Sequence, residues 1–269
     1  MSDIEKRIKE KIEKVGTPLK EWDINIYRGI LTGYNEAFII DGKTKDRLIE
    51  KSPKNAEIIR PILRGRDIKR YGYEFADLWL ICTHNGTPTE PAININDYPD
   101  IKTHLDNYYS QLTNRQDKGI TPYNLRSCIY MDDFSKQKII FQEMVQEPSF
   151  MYDKDGEFYC LDTGRIITGN DIDFIITILN SNLFFFSVKL FYGGGGLGAN
   201  GVRMKHTFFD KFCCPTLNLE QKKDFLNLLN MVLKSSNMEE KMKINKIINE
   251  KIYALYHLDI DEINFIESL

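Results

Sequence analysis

Four cationic side chains fall within seven residues of one another: Arg64, Arg66, Lys69 and Arg70. A cluster this dense cannot be buried on one face, so some of these side chains must reach solvent. The planar fork of an arginine suits phosphate oxygens and the O6 and N7 atoms of guanine equally well. The residue types therefore predict contact with nucleic acid without separating backbone binding from base reading. A structural alternative is an ion pair between Arg64 and Asp67 that fixes a turn at Gly65.

A glycine-rich segment, 193–201, is the second candidate, because Gly196, Gly198 and Gly201 form a literal Gly-x-Gly-x-x-Gly. A dinucleotide site needs a helix that starts at such a loop and an acidic residue about twenty positions later. The residues that follow lack an apolar helical stripe, which argues against cofactor binding. Two interpretations stay open: a connecting loop, or a loop that lets the backbone approach DNA. The basic neighbours Arg203, Lys205 and His206 favour the second.

The charge of the chain is unevenly distributed. Its 269 residues are 42% hydrophobic and 28% charged, which is typical of a globular protein with a sizeable core. A formal net charge of −3 is unfavourable for a nucleic-acid binder, because phosphate contacts supply most non-specific affinity. However, residues 43–70 hold ten Lys and Arg against four acids, whereas residues 71–100 hold five acids and neither Lys nor Arg. A basic face on an acidic body fits this asymmetry, and a solvated helical surface is the alternative.

Hydrophobic periodicity predicts short strands in the middle of the chain and helices around them. Ile4, Ile8 and Ile12 recur every four residues and indicate a first helix over 4–15. One helix is expected over 98–112, and strands are expected over 24–31, 37–40, 79–83, 138–145, 149–152, 157–161 and 165–167. Asp155-Gly156 has the composition of a hairpin turn. The expected class is α+β, with a mixed, mainly antiparallel sheet, peripheral helices and a C-terminal helical hairpin.

The domain organisation and the cellular environment follow from three further observations. From Leu219 onward the pattern is helical alone, so we expect one domain over 1–217 and a helical tail over 218–269. The most apolar stretch, 174–192, contains Asn180, Ser181 and Lys189 and falls short of a membrane-spanning run. Five cysteines without Cys-x-x-Cys spacing indicate a reducing environment. These observations predict a cytoplasmic protein without disulfides and without a membrane partner.

Two segments near the start carry a family resemblance. They are Gly-Ile-Leu-Thr-Gly-Tyr-Asn-Glu-Ala-Phe-Ile-Ile-Asp at 29–41 and Ile-Ile-Arg-Pro-Ile-Leu-Arg-Gly-Arg-Asp-Ile-Lys-Arg-Tyr at 58–71. Further matching segments follow in order at 123–130, 134, 138–141 and 178–181. Together they resemble the TaqI-like C-terminal specificity domain of adenine-specific DNA methyltransferases and fused type IIG restriction-modification enzymes. The resemblance spans about residues 19–215, and no single short motif carries it.

This resemblance implies a target-recognition domain that binds duplex DNA in the major groove and contributes base-specific contacts. A methyltransferase catalytic domain, elsewhere in the same polypeptide or on another subunit, would flip an adenine and methylate its N6. S-adenosylmethionine would belong to that separate domain. The tail 218–269 resembles the helical tails of such enzymes and is therefore expected to pack against protein. Double-stranded DNA and the catalytic domain are the expected partners.

The sequence lacks the signatures of catalysis. An amino-methyltransferase needs a compact Asn-Pro-Pro-aromatic turn to hold the target amine, and Pro-Pro does not occur in this chain. Asp132-Asp133 beside Lys136 and Lys138 imitates a nuclease cluster, but its spacing favours a solvated turn. The four histidines are scattered, without a His-x-x-x-His pair. We therefore expect a chain that is not itself an enzyme and that binds neither a metal nor a cofactor.

The expected DNA contacts fall in several segments. Domains that read different sequences share the signature around 64–70, which is therefore expected to serve as scaffold or phosphate contact, with base readers in 84–89, 114–124 and 200–205. The full set of candidates is Arg64, Arg66, Lys69, Arg70, Thr32, Asn35, Arg115, Lys118, Asn200, Arg203 and Lys205. The alternative function is a protein-interaction or regulatory module of a defence system that kept the fold and lost DNA reading. The net acidity and the acidic stretch 74–100 favour that alternative.

Overall fold

The computed structural model describes residues 1–196, 198 and 201–268. Its helices are α1 (Asp3–Lys14), α2 (Asn35–Phe38), α3 (Gly42–Lys51), α4 (Pro99–Asp106), α5 (Tyr109–Asn114), α6 (Ile172–Leu179), α7 (Asn182–Leu190), α8 (His206–Phe209), α9 (Leu219–Lys234), α10 (Met238–Leu255) and α11 (Ile260–Glu267). Its strands are β1 (Thr17–Pro18), β2 (Ile24–Arg28), β3 (Ile39–Asp41), β4 (Ile59–Leu63), β5 (Ile68–Lys69), β6 (Gly72–Tyr73), β7 (Leu78–Ile81), β8 (Lys138–Gln142), β9 (Met144–Val145), β10 (Phe150–Asp153), β11 (Tyr159–Cys160), β12 (Gly164–Gly169), β13 (Val202–Arg203) and β14 (Cys213–Cys214).

Two four-stranded sheets organise the molecule. The central sheet has the order β10-β8-β12-β2 and is antiparallel throughout. The second sheet has the order β11-β4-β7-β3, and in it β11 runs parallel to β4 while the other pairs are antiparallel. Short two-stranded ladders join β1 to β14, β13 to β9 and β5 to β6. The predicted α+β class with mainly antiparallel strands is confirmed.

The central sheet separates two hydrophobic cores. Successive side chains of a strand point to opposite faces, so Ile139 and Phe141 of β8 enter one core while Ile140 enters the other. On β12, Ile167 and Ile166 divide in the same way. The first core also contains α1, α6, α7 and α9–α11, and the second contains the other sheet and the helices α3–α5. Burial on both faces explains why β8 is apolar without alternation.

A short elbow joins α6 and α7 to the central sheet. Asn180 donates its side-chain amide to the carbonyl of Phe150 and accepts from the amide of Phe150, at 2.8 and 3.0 Å. Ser181 caps α7 by accepting from the amide of Phe184. No single helix among the described residues is long and apolar enough to cross a membrane. Only α6 and α7 together reach that length and composition, and the pair is bent by 65°.

Helices α9, α10 and α11 follow one another at the C-terminus, each with a polar N-cap. Asn218 and Gln221 form a capping box at α9, and Asp259 and Glu262 form one at α11. The expected hairpin therefore carries a third helix. All three helices pack into the first core against α1, α6 and α7. The division into 1–217 and 218–269 stays a prediction.

The structure corrects three local predictions. Residues 155–156 do not form a hairpin between paired strands, because β11 leaves β10 and pairs with β4 instead. The helix expected over 98–112 is two helices, α4 and α5, separated at Asn107–Tyr108. The strand expected over 37–40 begins as the short helix α2, and β3 pairs with β7 and not with β2. The corrections to the hairpin and to β3 concern pairing partners that are remote in sequence, whereas the helix break at Asn107–Tyr108 is local.

A buried ion pair ties β8 to β10. Lys138 is 0% exposed and donates to the Asp153 carboxylate at 2.5 Å and to the carbonyl of Phe134. Asp153 also accepts from the backbone amides of Glu157 and Phe158. Burial lowers the pKa of Lys138, and the Asp153 carboxylate opposes that effect. Lys138 is therefore part of the scaffold and not of a nuclease cluster.

Replacing Asp153 by Ala should lower the free energy of unfolding by about 3–5 kcal/mol, because the Lys138 ammonium would stay buried without its counter-ion. Urea unfolding followed by circular dichroism measures this change. The matched control is Asp155→Ala in the adjacent exposed turn, which should change the free energy by less than about 0.5 kcal/mol. Equal effects of the two substitutions would contradict a structural role for the buried pair.

Candidate nucleic-acid interface

Cationic side chains gather at one end of the central sheet. Arg28 at the end of β2 lies beside Arg165 on β12, since the two are register partners. Arg203 on β13 pairs in register with Met144 on β9, directly after β8. Arg126 shares a cleft with Arg28, and Arg66 and Lys69 share one with Gln142 at the end of β8. The group, called the basic rim below, consists of Arg28, Arg66, Lys69, Arg126, Arg165 and Arg203. Arg28, Arg66, Lys69, Arg126 and Arg203 are exposed and Arg165 is partly buried.

Most rim cations have an acidic partner. Glu143 lies between two of them, with its carboxylate 3.3 Å from Arg165 and 3.6 Å from Arg203. Arg28 pairs with Asp162 at 3.0 Å, Arg126 with Asp117 at 3.2 Å and Lys69 with Glu74 at 3.6 Å. Surface pairs of this kind contribute about 0–1 kcal/mol each. Because these pairs are weak, a rim cation can leave its carboxylate partner and bind a phosphate with little loss of free energy.

A locked turn positions Arg66. The Arg64 guanidinium binds the Asp67 carboxylate through two hydrogen bonds of 2.9 and 2.8 Å, and the Arg64 amide donates to the same carboxylate. Burial alone would raise the pKa of Asp67, but these bonds from Arg64 hold it below its usual range. A Cβ on Gly65 would lie 2.6 Å from Gln142 Oε1, so the glycine permits a close approach to β8. The structural alternative for Arg64 is thus confirmed.

Arg115 is a corrected candidate, because it is buried and serves the scaffold. Its guanidinium donates to the backbone carbonyls of Thr32, Asp117, Pro122 and Asn124. Burial lowers the pKa of Arg115 to about 10. Thr32 is likewise buried, and its hydroxyl donates to the side chain of Asn35. Arg115 and Thr32 therefore join two loops and leave no group for DNA.

The Arg70 side chain lies away from the rim, in a groove along the C-terminal helices, and its contact with DNA stays a prediction. The guanidinium donates to Asn182 Oδ1 at 3.3 Å, and Arg70 lines this groove with Tyr253 and Glu267. Burial lowers the pKa of Arg70. Its neighbour Lys69 points into the solvent-exposed rim. Lys69 ends β5 and Arg70 lies in the turn that follows, so the two side chains leave the backbone in different directions.

Two exposed candidates lie on the loops that Arg115 joins. Lys118 is exposed and donates to the carbonyl of Thr113 at 2.5 Å. Asn35 is exposed at the start of α2. The 115–124 loop reaches the rim through the pair of Asp117 with Arg126. Asn85 holds the same region together, because it donates to Ser127 and accepts from the amide of Ile120. Lys118 and Asn35 stay predicted DNA contacts.

The glycine segment passes beside the rim and is anchored at its first half. The amide of Gly194 donates to the carbonyl of Val188, and its carbonyl accepts from the amide of Arg203. A Cβ on Gly194 would lie 2.6 Å from Val188 Cγ1, so this position is closely packed. Lys205 is exposed further along. Asn200, another predicted contact, lies outside the described residues.

The segment 84–89 lines a separate polar cavity of about 480 Å³. His84 is buried there, with its Nε2 3.6 Å from the Glu90 carboxylate, and its Nδ1 has no hydrogen-bond partner among the described residues. Burial lowers the pKa of His84. Glu57 and Arg60 line the same cavity. Within the described part of the chain, no group of three or more His, Cys, Asp or Glu side chains could hold a metal ion.

Sequence reasoning missed three members of the rim: Arg28, Arg126 and Arg165. Arg28 directly precedes the segment 29–41, and Arg126 lies within 123–130, so both lay beside or inside the segments that carry the family resemblance. Arg165 falls in a predicted strand, 165–167, which gives no sign of a site. The missing information was the order of the central sheet, in which β2 and β12 are neighbours although they are remote in sequence.

No family model and no curated protein matches the sequence, whereas solved structures match the fold. The type IIL restriction-modification enzyme MmeI, solved in complex with DNA, matches with a TM-score of 0.67 at 13% identity. The match covers 94% of this chain and 36% of MmeI. The type IIG restriction endonuclease BpuSI matches with a TM-score of 0.56 at 13% identity over 95% of this chain and 33% of BpuSI. The chain thus has a fold found in restriction-modification enzymes and spans about a third of their length.

Replacing Arg115 by Ala should lower the free energy of unfolding by about 2–4 kcal/mol, because several carbonyls would lose their buried donor. Arg115→Lys should recover little of the lost free energy of unfolding, because one ammonium cannot reach all the carbonyls that surround a planar guanidinium. Thermal and urea unfolding measure both effects. Lys118→Ala on the same loop is the control and should be nearly neutral. If Arg115→Ala left the free energy of unfolding unchanged, Arg115 would not be a scaffold residue and would again be a candidate DNA contact.

Proposed function

We propose that this chain recognises duplex DNA as the specificity domain of a restriction-modification enzyme or a related phage-defence enzyme. The observation that carries the proposal is the basic rim, which concentrates six cations at one end of the central sheet of a protein whose net charge is −3. Most of the electrostatic attraction to DNA is local, so a patch can bind phosphates although the whole body is acidic. MmeI, which shares the fold, was solved in complex with DNA.

The rim suits a ligand with repeated negative charges. Each exposed ion pair on it is weak, so a phosphate can take a guanidinium from its carboxylate with little loss. The rigid elements beneath the cations, namely the end of the central sheet and the turn fixed by Arg64 and Asp67, fix their spacing. A surface organised in this way binds a backbone of regular geometry better than a flexible peptide.

The finer part of the proposal follows the resemblance to the TaqI-like specificity domain. In that scheme the chain holds a DNA site while a separate catalytic domain flips an adenine and methylates its N6. S-adenosylmethionine is bound by the catalytic domain, and the chain itself is not an enzyme. The tail 218–269 docks against protein, and the complete enzyme acts in the cytoplasm without a membrane. MmeI and BpuSI support this scheme through their shared fold.

DNA binding by the full chain should weaken steeply with salt, because the affinity comes from released counter-ions. Fluorescence anisotropy with a labelled duplex at several salt concentrations gives the slope of log affinity against log salt. Arg28→Ala or Arg203→Ala should each reduce the slope by about 1. Lys243→Ala, which breaks the exposed pair with Glu239 on α10, is the matched control and should leave the slope unchanged. Binding that does not depend on salt, or that the rim substitutions do not affect, favours the protein-interaction alternative.

A second measurement concerns catalysis. Incubation of the chain with labelled S-adenosylmethionine and adenine-containing duplexes should leave the DNA unlabelled, because the chain lacks an Asn-Pro-Pro turn to hold the amine. Adding an adenine methyltransferase of known activity to the same mixture provides the positive control. Label incorporated by the chain alone, above a reaction without protein, would show that the chain is itself a methyltransferase.

A further inference from the structure

A cleft of about 450 Å³ opens in the basic rim beside the end of β8. Arg66 and Lys69 form one wall, and Gln142 with the segment 144–147 forms the other. Its lining combines the Arg66 guanidinium, the Lys69 ammonium, the side-chain amides of Gln142 and Gln146, the Met144 thioether and the Glu147 carboxylate. The cleft thus adds two side-chain amides and an apolar side chain to the cations and acids that line the rest of the rim. The cleft therefore offers hydrogen-bonding and apolar groups that can distinguish one ligand surface from another.

Arg66 differs from the other rim arginines because its fork is free. Among the described residues it has no ion-pair partner and no side-chain hydrogen bond, whereas Arg28, Arg126, Arg165 and Arg203 each have a carboxylate within 4.0 Å. The turn that carries Arg66 is fixed by the bonds between Arg64 and Asp67. Because this turn fixes the backbone that carries Arg66, only its side chain has to be ordered when the fork binds a planar partner.

The opposite wall of the cleft is built on the strands β8 and β9. Gln142 ends β8 and packs against Gly65, so its position is coupled to the turn of Arg66. Met144 is 60% exposed on β9, and Gln146 is exposed next to it. Because Met144 is held in register with Arg203, the apolar side chain stands beside a cation that can bind phosphate. The wall thus presents amides and a methyl group from a fixed strand.

We infer that this cleft reads base edges in the major groove, with Arg66 as a specificity residue; the inference rests on the proposed function. An arginine fork matches O6 and N7 of guanine, a glutamine amide matches N6 and N7 of adenine, and an apolar side chain contacts the methyl group of thymine. The paired arginines of the rim bind phosphates around it. Arg66 therefore has a different role from the phosphate or scaffold contact expected for its segment.

Substitution of Arg66 by Lys tests this role, because Lys keeps the charge and removes the fork. The full chain and its variants select from a library of duplexes with a randomised segment, and sequencing of the bound fraction gives the preference at each position. The wild type should prefer one motif. Arg66→Lys should keep the salt slope and lose preference at one guanine, by roughly 5- to 150-fold. Gln146→Ala should relax a different position.

Arg126→Lys is the matched control, since Arg126 is a paired rim arginine outside the cleft, and it should leave the motif intact. Thermal unfolding confirms that all variants are folded. A motif that is unchanged in Arg66→Lys and Gln146→Ala overturns the inference while DNA binding stands. A wild type that binds every duplex equally also overturns it. Absence of any salt-dependent binding at low salt overturns both the inference and the proposed function.

Discussion

Burial of the central sheet on both faces is the constraint on which the rest of the structure depends. Because one core covers Ile139 and Phe141 and the other covers Ile140, the interior strands β8 and β12 meet solvent mainly at their ends. Arg165 near the start of β12 and Gln142 at the end of β8 therefore lie at one edge of the two cores, next to Arg28 at the end of β2. The basic rim is one such end, and its cations keep their spacing because the ladder beneath them fixes their register. The position of the rim is thus a consequence of core packing.

The sequence predicted features whose cause is local. The first helix and the pair of Arg64 with Asp67 both depend on residues within one helical turn of each other, and the structure contains both. Features that depend on remote partners were missed or wrong. The pairing of β11 with β4 and the juxtaposition of Arg28 and Arg165 require the order of the sheets.

Arg115 shows why residue type alone is a weak guide to a site. It lies in a polar loop next to Lys118, and both looked like surface cations in the sequence. The structure separates them, because four backbone carbonyls converge on the Arg115 guanidinium, and only the folded loop brings those carbonyls together. A buried arginine that satisfies loop carbonyls replaces the hydrogen bonds that a strand or helix would supply. Such a loop can hold a fixed shape without regular secondary structure.

Glu143 has a consequence for how the rim responds to a ligand. One carboxylate serves both Arg165 and Arg203, so the two arginines are not independent. When an anion occupies Arg203, the carboxylate is left to Arg165 alone and strengthens that remaining pair. The free energies of the two sites are then coupled through a shared competitor, and removing either arginine changes what the other contributes. Neutralising Glu143 would turn two linked contacts into two separate ones, because Glu143 alone among the rim acids is shared by two arginines in the described part of the chain.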